Sequence, residues 1–386
     1  MNESQDHSSL LPPELLGRIL NHVQGPDQCI VNPISKRFLP FQREVLYRRV
    51  IVRSYEQLDK LCWTVENQPD IVSDYVKGLK IDIEPKFRQN SPRITEIEDP
   101  QSPSSKQLRQ LFSALDELND LYVNGSSRIA SMVLSPQVSI SSLPKLSILS
   151  LSSSFRGFDD PFNPTFYAPL LNYTNLDEFT LWVYRTSAGI VLSPKSPPVI
   201  SPCLPSLFSL TLKGPLSTSC TSVQRLISSF GFIFQLELTD TSSSTCRIFN
   251  LLGDLECPGE LSHLSLQRYS IYGPAPQGSI VDALGELSSL ESLVVGGTTS
   301  SLSPDFYEAL LNLPLTMLVF GSEADVNLVE LEKLVTGPKR HETLKTIWFE
   351  NVEGEMGTKI MDIGGEPWTG PNGDGWGPYP DWQLPE

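Results

Sequence analysis

Histidine and cysteine, the side chains best suited to acid–base catalysis and metal binding near neutral pH, are few and scattered in this sequence. None of the six cysteines belongs to a Cys-x-x-Cys pair, and no histidine lies at zinc-finger spacing from any of them. We therefore expect reduced thiols, no metal site and no cofactor. The four histidines are isolated along the chain, at His7, His22, His263 and His341.

Motifs for covalent or phosphate chemistry are also missing from the sequence. The chain has no Gly-rich phosphate loop, no His-Glu-x-x-His and no Gly-x-Ser-x-Gly. Asp159-Asp160 is an acidic pair, but Pro161 and Pro164 follow it, so a solvated turn explains it better than a catalytic dyad. We expect a protein that is not an enzyme. An enzyme built on a repeat scaffold would need a convergent polar pocket, which no motif indicates.

Charge and hydropathy narrow the class of partner. The 386 residues carry 29 Lys+Arg and 45 Asp+Glu, a net charge of −16 at pH 7. This balance repels phosphate backbones, so nucleic acid is not an expected partner. The polar start has no apolar core, and no apolar run reaches the ~20 residues of a membrane span. We expect a cytoplasmic or nuclear protein, or both, without a membrane partner.

A short apolar motif recurs ten times between residues 76 and 349, in the order apolar, two others, apolar, one other, apolar. After a first step of 42 residues the copies lie 25–31 residues apart, close to the ~20–29-residue period of leucine-rich repeats. The last two apolar residues point the same way from a short strand, so neighbouring copies must stack to bury them. The copies end at Ile81, Val123, Leu151, Leu181, Leu212, Leu238, Leu266, Val295, Phe320 and Phe349.

Helical patterns separate these strands, as where Leu58, Leu61, Cys62 and Val65 share one face. Strand and helix alternating at this period predict an α/β fold, a leucine-rich-repeat-like solenoid with a parallel sheet on its concave side. The Asn that follows the strand in regular repeats is largely missing, which predicts irregular curvature. Pro/Ser-rich insertions are predicted as surface loops, or as loops that phosphorylation or a partner controls, at roughly 84–106, 185–205 and 240–246.

Residues 10–50 are predicted to form a separate module of three short helices. Pro12-Pro13 suits a helix start, Glu14 complements the helix dipole, and Gly25-Pro26 ends the first helix. Two further stretches, 34–39 and 40–50, supply apolar faces. Pro33 predicts that the second helix begins late or breaks.

The order of motifs in this module resembles an F-box domain, in the style common in fungal F-box proteins. The residues that carry the resemblance are Leu-Pro-Pro-Glu-Leu-Leu-x-x-Ile-Leu from Leu11, then Ile-Ser-Lys-Arg-Phe and Val-Leu-Tyr-Arg-Arg-Val. The resemblance implies docking onto a Skp-type adaptor of a cullin-based ubiquitin ligase, with the C-terminal domain holding a target protein. The docking residues that it implies are Leu11, Pro12, Glu14, Leu15, Ile19, Leu20, Ile34, Ser35 and Phe38.

A second interpretation stays open, in which these helices only cap the first repeat and the chain is a leucine-rich-repeat interaction scaffold without a ligase connection. In both cases the strand-lined face is the expected binding surface. Trp182 and Trp348 are either interface anchors or partly buried at a repeat edge. The strand positions predicted to contact a target are Tyr122, Trp182, Lys213, Glu237, His263, Gln267, Trp348 and Glu350.

Four segments follow from these patterns. Residues 1–9 are predicted to be a disordered N-terminus, 10–53 the F-box-like module, 54–362 the repeat array and 363–386 a tail rich in Gly, Pro and Trp. The tail either covers the last repeat as a cap or is disordered and presents an aromatic motif.

Overall fold

A computed structural model describes most of the repeat region. The predicted docking residues of the F-box-like module, most of the three insertions, Glu350 and the tail lie outside the described residues. Spatial proximity groups the chain into two compact units: unit 1 is Met1–Pro215 with Ser229–Gly231, and unit 2 is Leu216–Ser228 with Phe232–Glu386. The described residues are 47–83, 102–125, 127–135, 143–153, 160–183, 204–216, 220–240, 260–267, 284–296, 302–321, 324, 326–336 and 341–349.

The fold is α/β, and its strands pair in parallel with their neighbours in sequence order within each unit. Consecutive parallel strands joined by helices or loops are the arrangement expected of a leucine-rich-repeat-like array. The strands of unit 1 are β1 Arg49–Val52, β2 Gly78–Asp82, β3 Asp120–Gly125, β4 Ile148–Ser153, β5 Glu178–Val183 and β6 Leu207–Gly214; those of unit 2 are β7 Ile233–Asp240, β8 His263–Gln267, β9 Ser292–Val295, β10 Met317–Phe320 and β11 Thr346–Phe349.

All ten copies of the apolar motif end in a strand, as the spacing predicted. An eleventh strand, β1, was not predicted, because Arg49 and Val50 had been assigned to the third helix of the N-terminal module. The structure corrects this: Arg49–Val52 pairs in parallel with the first four residues of β2. The four segment boundaries stay predictions.

A constant register stacks the apolar residues into two ladders inside unit 1. One ladder joins Leu79, Leu121, Leu149, Phe179 and Leu210 across five strands, and every one of these side chains is fully buried. The second ladder lies two residues further along each strand and is equally buried, with at most 1 % of any side chain exposed. Its members are Ile81, Val123, Leu151, Leu181 and Leu212.

Short helices complete the repeats, and the first of them buries three of the four residues predicted for its face, while Leu61 is only partly buried. Leu58, Cys62 and Val65 form the buried face of the first helix, which Ser54 caps by accepting a hydrogen bond from the Gln57 backbone. The helices are α1 Tyr55–Asn67, α2 Pro69–Tyr75, α3 Ser105–Ser113, α4 Ser127–Val133, the 3-10 helix Pro164–Asn172, α5 Cys220–Ser228, α6 Pro304–Leu310 and α7 Leu328–Thr336.

Side-chain hydrogen bonds mark the start of two further helices. Ser104 and Gln107 form a reciprocal capping box that starts α3 inside the segment predicted as an insertion. At α7 the side chain of Asn327 accepts a hydrogen bond from the Glu330 backbone. None of the described helices is long and apolar enough to cross a membrane.

We predict that replacing one ladder leucine weakens unit 1 far more than replacing its outward neighbour. Leu181→Ala removes a fully buried side chain, so we expect the free energy of unfolding to fall by about 2–5 kcal/mol. Thr180→Ala, one residue earlier on the outward face of β5, serves as the control and is expected to change it by less than about 1 kcal/mol. Urea denaturation of both variants measures the difference, and equal losses would contradict the assignment of the two faces.

Candidate protein-binding surface

The outward side chains of β1–β6 form one surface of unit 1, which we call the unit 1 face. Strand residues alternate between the two sides of a sheet, so the register that stacks the inward ladders also aligns the outward residues. The first row is Arg49, Gly78, Asp120, Ile148, Glu178 and Ser209; the second is Ile51, Lys80, Tyr122, Ser150, Thr180 and Thr211; the third is Asp82, Asn124, Ser152, Trp182 and Lys213.

Two half-buried carboxyl groups lie in the first row. Burial raises the pKa of Asp120, and the nearby Arg49 guanidinium opposes that rise. Burial also raises the pKa of Glu178, and the negative charges of Asp120 and Asp177 raise it further. Both carboxylates are therefore held where their charge is poorly solvated.

The absence of a side chain at Gly78 lets the Arg49 side chain extend toward Asp120. A Cβ atom at Gly78 would lie 3.2 Å from the Arg49 Cγ and 3.8 Å from an Asp120 carboxylate oxygen. A larger residue here would push the arginine stem away from the sheet. The position thus keeps a cation near Asp120, whereas no described cation acts on Glu178, two strands further along.

Tyr122 stands in the second row above the two carboxyl groups. Burial raises its pKa to about 12, the charges of Asp120 and Glu178 act in the same direction, and Arg49 opposes them. The phenol therefore stays neutral at physiological pH and keeps its proton as a hydrogen-bond donor. Tyr122, which the sequence predicts to contact a target, therefore lies near the ionisable side chains of Asp120, Glu178 and Arg49.

The third row combines an exposed indole with a polar network. Trp182 is 45 % exposed, which favours the anchor interpretation, and it lies between Ser152 and Lys213 in the register. Ser152 is only 8 % exposed, and among the described residues its hydroxyl has no hydrogen-bond partner. At the far end of the row the Asn124 amide donates to Asp82 at 2.7 Å, and Lys80 from the second row lies 3.8 Å from the same carboxylate.

The outward side of unit 2 carries the other predicted contact residues. His263 has its ring centre 5.5 Å from that of Phe234, and burial lowers its pKa, so it is a neutral, partly buried ring rather than a surface base. Gln267 donates to the Ser265 hydroxyl at 3.4 Å. Glu237 pairs with Ser265, between His263 and Gln267, so these three lie on neighbouring strands. Trp348 is partly buried on β11, three strands away from β8.

Sequence analysis missed Asp120, Glu178 and Ser152. The signal was present, because each stands at an alternating outward position of a predicted strand. Their lateral proximity was not encoded locally, since Asp120 and Glu178 are 58 residues apart and meet only through the register of β3, β4 and β5.

Two further ionisable side chains, Cys62 and His341, have structural roles. Burial raises the pKa of the Cys62 thiol to about 12, which leaves an unreactive thiol within α1. In unit 2, His341 borders an open cleft of about 560 Å³, and its Nδ1 accepts the Leu344 backbone N–H at 3.1 Å. Burial lowers the pKa of this histidine, so the neutral ring caps a backbone turn. Across the described ranges no cluster of three metal-ligating side chains occurs.

No protein-family model and no curated protein matches the chain. Among solved structures it is similar to the one titled "Crystal structure of Rad7 and Elc1 complex in yeast". The sequence identity is 11% and the TM-score 0.39, over 89% of this chain and 81% of that chain. A similarity of this extent assigns neither fold nor function, so the repeat architecture rests on the parallel register itself.

We predict that Glu178 costs stability at neutral pH. A carboxyl group whose pKa is raised by folding binds protons more tightly in the folded state, so stability falls as pH rises from its ordinary value of 4.5 through the raised one. Glu178→Gln is therefore expected to raise the unfolding free energy at pH 7, by at most about 1 kcal/mol because the group is partly solvated. The gain is expected to vanish below the ordinary pKa.

Thermal unfolding at several pH values measures this effect, with Glu66→Gln on the exposed side of α1 as the matched control. A Glu178→Gln variant less stable than the control at pH 7 would show that the carboxylate makes a stabilising contact instead.

Proposed function

We propose that this chain is a substrate-recognition adaptor of an SCF-type (Skp–cullin–F-box) ubiquitin ligase. Residues 10–50 would bind a Skp-type adaptor and through it a cullin ligase, and the repeat array would hold a target protein. The observation that carries the target-binding half is the unit 1 face, where aligned rows of polar side chains surround the exposed Trp182. The ligase half is supported by the F-box resemblance of the preceding residues.

Rigidity is what the array contributes in this proposal. Parallel pairing and the buried ladders hold the outward side chains at fixed spacings, which lowers the entropic cost of binding a partner. Holding the target near the ligase raises its effective concentration there. Ubiquitin transfer itself would take place in other subunits, and the chain would need no catalytic group or cofactor. A cytoplasmic or nuclear location fits this role.

A second candidate is a leucine-rich-repeat scaffold without a ligase connection. One observation favours it: β1 begins at Arg49, within the last of the F-box-like motifs, and pairs directly with β2. The F-box-like residues therefore directly precede the first strand of the array in sequence, as those of a cap would. Binding to a Skp-type adaptor is the property that separates the two candidates.

We predict that an Ile19→Asp, Leu20→Asp double variant loses its association with a Skp-type adaptor. Two charges placed on the apolar stripe of the first predicted helix would have to be buried in the interface, which we expect to weaken binding at least tenfold. Co-purification and titration with the purified adaptor measure the loss. Val329→Asp is the matched control, because this residue of unit 2 is 63 % exposed.

Absence of any association in the intact chain would overturn the ligase role and leave the scaffold. Unchanged binding by the double variant would show that these two residues do not form the docking surface. The unfolding midpoint of the array, recorded for each variant, shows whether a loss of binding comes from a loss of folding.

A further inference from the structure

The spacing of the two carboxyl groups in the first row of the unit 1 face suits a cationic side chain. Asp120 is in register with Ile148, and Ile148 with Glu178, so one strand lies between the two acids. Neighbouring strands are ~4.8 Å apart, which sets the two Cα atoms about 10 Å apart. The partly exposed Ile148 between them forms an apolar floor for the stem of a lysine or arginine.

The described residues do not balance the charge of these two carboxyl groups. Neither the Asp120 nor the Glu178 side chain makes a hydrogen bond or an ion pair within the described part of the chain. Arg49 acts on Asp120 from the side of Gly78, and no described cation is among the groups that act on Glu178. Lys80 lies 3.8 Å from Asp82. A positive charge supplied by a partner would complete the pair.

Two further features extend the surface along β5. Trp182 follows Glu178 by four residues on the same side of the strand, about 13 Å away at ~3.3 Å per residue. Beside it the buried Ser152 hydroxyl has no hydrogen-bond partner within the described ranges, which is costly unless a bound molecule supplies one. Tyr122 adds a neutral phenol between the carboxyl groups and this end of the face.

We propose that the unit 1 face binds an extended basic segment of a partner protein. An arginine or lysine of that segment lies over Ile148 between Asp120 and Glu178, and an apolar side chain four residues away contacts Trp182. This inference deepens the proposed function, because it names the class of target that the array would hold. The inference rests on the proposed function in one respect only, because it takes the unit 1 face to be the target-binding surface.

A defined peptide tests the proposal directly on the full-length chain. The probe is a fluorescein-labelled Gly-Ser-Arg-Ser-Gly-Ser-Leu-Gly-Ser peptide, whose arginine and leucine have the required spacing. Matched peptides carry glutamine or glutamate in place of the arginine, or alanine in place of the leucine. Fluorescence anisotropy is expected to show the arginine peptide binding at least tenfold more tightly than the glutamine peptide, with no binding of the glutamate peptide. Raising the salt concentration is expected to weaken the arginine peptide most.

Variants then locate the site. Glu178→Gln and Asp120→Asn are each expected to weaken the arginine peptide about tenfold and to leave the weaker glutamine peptide unchanged. Trp182→Ala is expected to abolish the preference for leucine over alanine while keeping the preference for arginine. Glu66→Gln removes one negative charge from α1, away from the unit 1 face. It is expected to change neither the preference for arginine nor the preference for leucine.

No detectable binding of the arginine peptide at millimolar concentration, or equal binding of the arginine and glutamine peptides, would overturn the proposal. Full binding by both Glu178→Gln and Asp120→Asn would do the same. Adaptor association is measured on the same preparations. Its loss with peptide binding intact would overturn the ligase role alone, and the reverse result would overturn only this inference.

Discussion

Parallel pairing in a constant register is the constraint on which each unit depends. A single strand-and-helix repeat has too little apolar surface to bury its own leucines, so it is stable only against a neighbour. Pairing Leu149 with both Leu121 and Phe179 completes the ladder, and a slip of one residue would turn every inward side chain outward. The same register fixes the outward rows, so the candidate binding surface is a geometric consequence of how the core is built.

Because the inward ladders supply the stability, the outward side tolerates groups that weaken it. Asp120 and Glu178 are held partly out of water, Ser152 has a buried hydroxyl without a hydrogen-bond partner in the part of the chain that the structure describes, and Gly78 has no side chain to pack. Features of this kind concentrate where a surface serves binding rather than folding. In unit 2 the outward residues Val294, Val319 and Trp348 are aligned in the register and are more apolar.

Contacts outside the ladders join further elements of unit 1. The buried Ser127 and Ser153 hydroxyls lie 2.9 Å apart, and the Tyr173 hydroxyl donates to the Val133 carbonyl at 2.8 Å. Gly214 ends β6 with a φ of 149°, where an added Cβ atom would lie 2.7 Å from the Val183 carbonyl oxygen. The two hydrogen bonds satisfy buried hydroxyl groups, and the close approach at Gly214 requires a residue without a side chain.

The sequence by itself determined what depends on short-range periodicity. Ten strands, most of the buried face of α1 and the parallel α/β class follow from apolar spacing, because the alternation of a strand and the turn of a helix are local properties. Tertiary structure decided what depends on neighbouring strands. It drew Arg49–Val52 into the sheet as β1, exposed Trp182 and placed Asp120 and Glu178 in one row with a single strand between them. These outcomes depend on register across loops of unequal length, and no local pattern carries that information.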